Sequence, residues 1–425
     1  MANNFDSNFT RKLAKTFIDK FESARVLSKN VDTQLLAGKF DPSSGTVVDF
    51  KRPTDYVTVR TADGDVSSET KSDIITGKAS GTVQDYFTAF VDYTEADEAI
   101  KMDQLDMLLA PMATRIATDM ELDFASFMMK NSALLSGTYG TAVTTWSDIA
   151  RGSAVMESSG VPKDSTWCAA VNPYTQAVLA DTQRSLGAGG SAGSEVVSAL
   201  KNATLSENFA GMTVLSASTL ASYTSATTGD LVGAFSAAPT PTYVGAKDTM
   251  TQTWALDGFG SFAGSIPAGA VLQVTGRNRL NLSTRQPIVD DTGANVLFTA
   301  TVTEASANFS SGAGTVTVTG PGIFEAAGQY NTVDAALADN DVVTILGADT
   351  TLYQPNLMWH KQAFSIGSVP LKKLYATDTI ATTEDGLQIR ITKYSDGTAN
   401  TQKVRFDLRP AYGVMNPFFS GQLFG

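Results

Sequence analysis

His360, in the stretch LMWHKQAF, is the one histidine of the chain and its most direct source of a general base near neutral pH. A hydrolase built on it would need an activated nucleophile, and no GxSxG elbow or similar signature accompanies it. Flanked by Met358 and Trp359, the imidazole is expected to be packed and hydrogen-bonded. With Cys168 as the one cysteine, a zinc site of ordinary type is excluded and no disulfide can close within the chain. Asp290-Asp291 and Glu384-Asp385 are adjacent carboxylates that could serve as acid and base in glycoside hydrolysis or hold Mg²⁺. Both pairs adjoin glycine turns, where solvated acids are the expected reading. GAGGSAG, residues 187 to 193, follows a helical pattern and precedes Ser194-Glu195. A phosphate loop needs a strand before it and a Gly-Lys-Ser/Thr at its end. A flexible connection is expected instead, and no catalytic residue, metal or cofactor is assigned.

Two groups of charged residues remain. Arg277, Arg279 and Arg285, in GRNRLNLSTRQ, suit bidentate recognition of carboxylates. They could bind RNA, but aromatic residues to stack bases are missing from the stretch; the alternatives are a solvated basic face and a contact with the carboxylate of another subunit. The second group divides along FKRPTDYVTVRTADGDVSSE. Lys51, Arg52 and Arg60 make a basic stem, and Asp63, Asp65 and Glu69 an acidic tip.

The elements that must carry these groups belong to a chain of 425 residues with 43% hydrophobic residues, long enough for two or three units with a large core. The 43 acidic against 31 basic residues leave a net charge of -12, which repels nucleic acid unless cations gather on one face, and no such run is present. Arg11, Lys12, Lys15, Asp19 and Lys20 interrupt the N-terminal apolar residues, so no signal peptide is read there. No segment supplies about 18 uncharged apolar residues for a membrane span, and a soluble cytoplasmic product is expected.

Phe9, Leu13, Phe17, Phe21 and Ala24 recur at helical spacing and predict an amphipathic helix. It would pack on its own domain or, as an arm, on another subunit. Residues 46 to 93 read as a long β-hairpin turning at Asp63-Gly64, with limbs of about 20 residues that would reach about 60 Å. Leu105, Leu109, Met112, Ile116, Met120, Phe124, Phe127 and Met128 form a helical stripe, with a break or kink expected just before Pro111. Residues 140 to 235 mix helix and strand, with Thr145 or Ser147 as a helix cap. From about Pro239 the texture turns to Thr, Val and Gly. AVLQVTG, NVLFTATVTE, GTVTVTG and DVVTILG predict a small all-β barrel or sandwich inserted into the chain. The chain closes on a hairpin about Asp396-Gly397.

This order, with FKRPTDYVTVRT, DEAIKMDQLDMLLAPMATRIATDMELDFASFMMKN, PNLMWHKQAFSIGSVPLKKL and YSDGTANTQKVRFDLRPAYGVMNP, resembles the major capsid proteins of tailed bacteriophages with the HK97 fold, and most of all the P22-like coat proteins with an inserted domain. The likeness covers nearly the whole chain outside the insertion, and the ordered set of segments carries it, since no single motif is diagnostic. It implies an α+β fold with an N-terminal arm (1–45), an extended loop lying over a neighbouring subunit (46–95), and a spine helix in a peripheral domain (96–139). The first part of an axial domain (140–235), the inserted barrel (236–353) and the axial and peripheral return (354–425) would follow. The implied function is a structural, non-enzymatic shell subunit in the virion, assembled in the host bacterial cytoplasm. Its partners would be copies of itself in hexamers and pentamers, a scaffolding protein, a portal protein at one vertex, and enclosed double-stranded DNA bound without sequence specificity. Lys51, Arg52, Arg60, Asp63, Asp65, Glu69, Arg277, Arg279 and Arg285 would then be candidates for subunit contacts. A β-rich binding module or adhesin is the alternative, and a carboxylate-based hydrolase a third reading.

Overall fold

The computed structural model describes residues 6–33, 35, 45–52, 55–94, 105–164, 166–187, 202, 203, 205, 208–226, 230–326, 328–375, 378–398 and 401–425. The chain divides into two units, one made of Met1–Val48, Gly81–Ala125 and Phe364–Gly413, the other of Asp49–Ser80, Ser126–Ala363 and Val414–Gly425.

In the first unit, helix α1 (Asp6–Ala24) puts Ala14, Phe17 and Phe21 on one buried face and leaves Lys15, Asp19 and Lys20 in solvent. That 3.6-residue pattern gives the helix its packing surface. Phe17 stacks on Phe406, with ring centroids 4.6 Å apart. The helix thus packs on a sheet of its own chain; Phe9 and Leu13 belong to the part whose side chains lie outside the described residues. The sheet runs Thr379–Thr382, Gln388–Asp396, Thr401–Leu408, Phe87–Thr94, antiparallel throughout. Ile389, Ile391, Val404, Phe406 and Leu408 are buried. Asp407 is buried too, opposite Arg390 on one neighbouring strand and Thr88 on the other. It accepts from Arg390 Nη2 at 2.6 Å, Arg405 Nε at 2.6 Å and Thr88 Oγ1 at 2.8 Å. Burial pushes this carboxyl upward, but those three donors outweigh it and hold Asp407 below its ordinary value.

Helix α2 (Leu105–Lys130) is about 39 Å long at 1.5 Å per residue. The expected break at Pro111 is absent: α2 continues through it. The proline lies in the second turn with its ring exposed, so it gives up one backbone bond early in the helix instead of splitting a packed interior. The buried face is centred on Ala113, Ile116, Ala117, Met120, Phe124 and Ala125, and Glu121 lies within it, fully buried. Its carboxylate accepts from the backbone N–H groups of Val26, Leu27 and Ser28 at 3.1, 2.6 and 3.0 Å, and from the Ser28 hydroxyl. Arg25 completes the network, donating to Ser28 Oγ at 2.7 Å and to Asp385 at 2.9 Å. Four donors converging on one carboxylate are what allow a charge to lie in this stripe.

The second unit holds a five-stranded sheet in the order Leu134–Ser136, Ser420–Leu423, Asn356–His360, Trp167–Val171, Thr213–Ser216, parallel at its two outer pairs and antiparallel inside. Asn356–His360 is buried at every position, as a central strand covered on both faces must be. Helix α3 (Trp146–Ser158) starts in a capping box between Thr145 and Asp148. Helix α4 (Pro173–Gly187) has Pro173 at its first position, and the Asn172 side chain accepts from the Tyr174 N–H at 3.0 Å. Ile149, Met156, Trp167, Leu179, Met358 and Leu423 share one core. The glycine-rich segment expected after α4 lies outside the described residues beyond Gly187.

The same unit contains a closed antiparallel barrel in the order Val271–Asn278, Leu297–Val302, Gly314–Thr319, Thr251–Asp257, Val232–Phe235, Val342–Ile345. The first strand starts at Val232, ahead of the expected boundary, because four residues of "LVGAF" are needed to close the ring against Val342–Ile345. Closure removes the open edges that four strands alone would leave. Trp254 fills the centre, edge-on to Phe235 at 5.1 Å, with its indole N–H donated to Gln252 at 2.9 Å.

Two outcomes test these contacts. Glu121→Ala leaves three backbone donors without a partner and is expected to lower stability by about 3 kcal/mol or more, read by calorimetry. Because the folded-state pKa of Asp407 is depressed, its contribution is full above about pH 4 and is lost as pH falls through the folded value. Asp407→Asn should therefore be less stable than the parent at pH 7 and flatter in its melting temperature from about pH 5 to pH 2.

Candidate assembly interface

The loop from Asp49 to Ser80 is not the long ladder its alternating residues suggest. Among the described residues, pairing is confined to the root strands Val47–Lys51 and Lys78–Val83, and residues 55–77 run without a ladder. The expected return limb divides after Val83: Phe87–Thr94 is the edge of the sheet described for the first unit. Serine, threonine and aspartate dominate this stretch, and their side chains satisfy backbone groups locally in place of strand partners. Asp63 accepts from the Asp65 N–H at 3.1 Å, and Asp65 from the Ser67 N–H at 2.9 Å, which holds Asp65 below the ordinary carboxylate value. Gly64 between them has φ +80, the left-handed conformation that favours glycine at a turn.

At the root, Arg52 is half-buried and donates to three carbonyls: Nε to Lys78 at 3.0 Å, Nη2 to Val414 at 3.3 Å and Nη1 to Met415. Burial lowers its pKa to about 10, and it remains a cation at neutral pH. Asp49 takes Lys78 Nζ at 3.0 Å and the Ser80 hydroxyl; the Ser80 and Lys78 hydrogen bonds hold it below its ordinary value. Lys51, Arg60, Asp63, Asp65 and Glu69 are exposed. With them stand Tyr56, Val57, Val59, Val66 and Ile74, exposed by 38 to 73%, an apolar set that a subunit in isolation has no reason to display.

The three arginines are all engaged within the chain. Arg277 makes a bidentate pair with Asp341, at 2.8 Å through both Nε and Nη2. Arg279 is buried against the Ala133 carbonyl and Thr299, with its guanidinium 5.7 Å from the Phe298 ring centre. Arg285 pairs with Asp55 and donates to the Asn331 carbonyl at 2.8 Å. Sequence spacing puts them in one cluster, but the barrel sends each to a different partner. Arg52 and Arg279 were thus legible as cations and not as buried donors. Glu121 was missed, although its place four residues after Ala117 and four before Ala125, inside an apolar stripe, was a readable signal.

The chemistry candidates are built into the fold. His360 is buried; Nδ1 accepts from the Gln362 N–H at 3.1 Å, and Nε2 lies 3.2 Å from Asp164. Asp290 accepts from Thr292 and Ala294 in its own turn, and Asp385 from Arg25 and Thr383. Cys168 is buried and its thiol is pushed up to about 11. Among the described residues no three His, Cys, Asp or Glu side chains group as metal ligands, and no helix is long and apolar enough to cross a membrane.

Compared with known proteins, residues 1–425 match the family described as "P22 coat protein - gene protein 5". The chain belongs to the P22 coat protein family. It is 38% identical over 429 residues to the major capsid protein of Acyrthosiphon pisum secondary endosymbiont phage 1, covering all of both chains. Weak structural overlays are found with a chain of Mycobacterium phage Che8 (TM-score 0.43, 12% identity, 94% of this chain and 90% of that one) and with the capsid structure of cyanophage P-SCSP1u (0.41, 11%, 89% and 83%). Family membership rests on the sequence. The protein is a phage major capsid subunit, with a structural role and copies of itself as partners in the virion shell.

For this coat subunit, Arg52→Ala strands three carbonyls at the loop root. It should lower stability by about 2 kcal/mol in urea unfolding, whereas Lys51→Ala should stay within about 0.5 kcal/mol.

Proposed function

We propose that the Asp49–Ser80 loop is the arm by which each coat subunit grips its neighbour in a shell of the HK97 type, built from hexamers and pentamers. The observation that carries this is the loop's composition and exposure: five apolar side chains stand in solvent beside Lys51, Arg60, Asp63, Asp65 and Glu69. A contact repeated head to tail needs two unlike surfaces on every copy, and a basic stem with an acidic tip meets that need. Arg52 is left out of the contact, since its guanidinium is spent on its own chain. Arg277 and Arg285 keep their carboxylates within the chain, so they shape the barrel and the loop before any neighbour arrives.

The role carries no catalysis. Asp290, Asp385 and His360 are engaged in folding contacts and Cys168 is buried, while Asp291 and Glu384 are exposed turn residues. Assembly in the host cytoplasm on a scaffolding protein, a portal at one vertex, enclosed double-stranded DNA and expansion on packaging are the family's expectations for such a subunit. A net charge of -12 suits a wall that encloses DNA without binding it.

Lys51→Glu and Arg60→Glu should lower the yield of closed particles at least about tenfold while the subunit's melting temperature moves by less than about 2 °C. Electron microscopy and calorimetry of the same preparations decide it. Normal particles from both variants would remove the loop from the interface.

A further inference from the structure

Within the second unit, the backbone of the loop is gripped at a single level by side chains of the barrel insertion. Gln329 and Tyr330 are both buried and lie in the segment between barrel strands Gly314–Thr319 and Val342–Ile345. The Gln329 carboxamide donates from Nε2 to the carbonyls of Asp55 and Asp73, the latter at 2.8 Å, and accepts the Asp73 N–H on Oε1 at 3.2 Å. One neutral side chain therefore bridges both limbs, much as a strand residue would if it were inserted between them. Arg285 holds the Asp55 carboxylate on the outgoing limb. On the returning limb, Tyr330 Oη lies 3.5 Å from the Ile75 carbonyl, and its ring stacks on Tyr243 with centroids 3.8 Å apart. Two residues further on, a side chain at Gly77 would place Cβ 2.5 Å from the Lys247 carbonyl and 2.9 Å from Tyr243 Oη, so the limb passes too close for anything but glycine.

These contacts fall at residues 55, 73, 75 and 77, whereas residues 58–70 are exposed or half-exposed and carry Val59, Arg60, Asp63, Asp65, Val66 and Glu69 of the side chains offered to a neighbour. The direction of the projecting part is thus set where the barrel holds it. Between Val57 and Ser72, residues 58–71 leave seven residues per limb, which would reach about 20 Å if the limbs ran extended at roughly 3.3 Å per residue. A 10° swing at the grip would then carry the tip roughly 3 to 4 Å, more than a hydrogen-bonded contact tolerates.

We propose that the barrel insertion is the mount that aims the loop and that Gln329 is the positioning residue which fixes the spacing of the two limbs. This rests on the loop being the arm toward a neighbouring subunit, and the test separates the two ideas. In the full-length subunit, Gln329→Ala should speed tryptic cleavage at Arg60 and Lys71 about tenfold, since it removes the carboxamide bridge between the limbs and leaves the Val57 N–H to Ser72 Oγ bond, at 2.9 Å, to hold them beyond the root. Gln329→Glu keeps the acceptor but loses both donors. It should retain slow hydrogen exchange at the Asp73 amide while cleavage still rises. Slow exchange at the amides of Thr315–Val318 should persist in both variants.

Unchanged cleavage in both variants overturns the mount, as does loss of protection throughout the barrel, which would make Gln329 a folding residue only. Faster cleavage together with misassembled or absent particles supports it. Faster cleavage with normal particles overturns the aiming role, while the arm itself stands or falls with the Lys51→Glu and Arg60→Glu particles.

Discussion

A loop that leaves its domain without a ladder must have its backbone polar groups satisfied by something other than strand partners, and the coat subunit depends on how that demand is met. Near the tip, aspartate and serine side chains turn back on their own backbone. At the root a guanidinium, and beyond it a carboxamide, reach backbone carbonyls from the side. The loop can therefore present apolar and charged side chains without offering a continuous open strand edge, which would pair with any other exposed edge.

The buried charges follow a common rule. Glu121 is surrounded by backbone donors, Asp407 by two arginines and a threonine, and Arg279 by carbonyl and hydroxyl oxygens. Each sits where an apolar side chain would cost less in desolvation, and each fixes a geometry that an apolar contact would leave free. Glu121 ties the turn after α1 to α2. Asp407 ties three strands of one sheet together across Arg390 and Thr88. Arg279 joins the end of one barrel strand to the Ala133 carbonyl beyond α2. Burial of charge here specifies arrangement, which suits a protein whose product is a repeated shape and not a reaction.

Much of this was written in local pattern. The four runs AVLQVTG, NVLFTATVTE, GTVTVTG and DVVTILG all became barrel strands because alternation with a period of two is a property of neighbouring residues. The helical spacing of Phe17 and Phe21, the Thr145 cap and the Asp396-Gly397 turn are local in the same sense. Thr251–Asp257 was less visible because Gln252 takes an inward position beside Trp254 and Leu256, so a polar residue interrupts the apolar face that the alternation would mark. The 46–93 stretch misled for a related reason: alternation marks residues that can form a strand, but a ladder also needs a partner at the right distance.

Residue type and spacing alone determined that the chain is acidic, lacks the ligands for an ordinary zinc site, carries an amphipathic helix near its start and a second long helix, and contains an inserted β unit. The tertiary structure decided where each charge went. Arg52, Arg277, Arg279 and Arg285 look interchangeable as letters, yet one caps a loop root, one forms a bidentate pair, one is buried against carbonyls and one grips the loop. The physical reason is range. Periodicity and turn chemistry act over a few residues, whereas the partner of a guanidinium is whichever oxygen the folded chain brings within about 3 Å. Here those oxygens lie as far as 363 residues away.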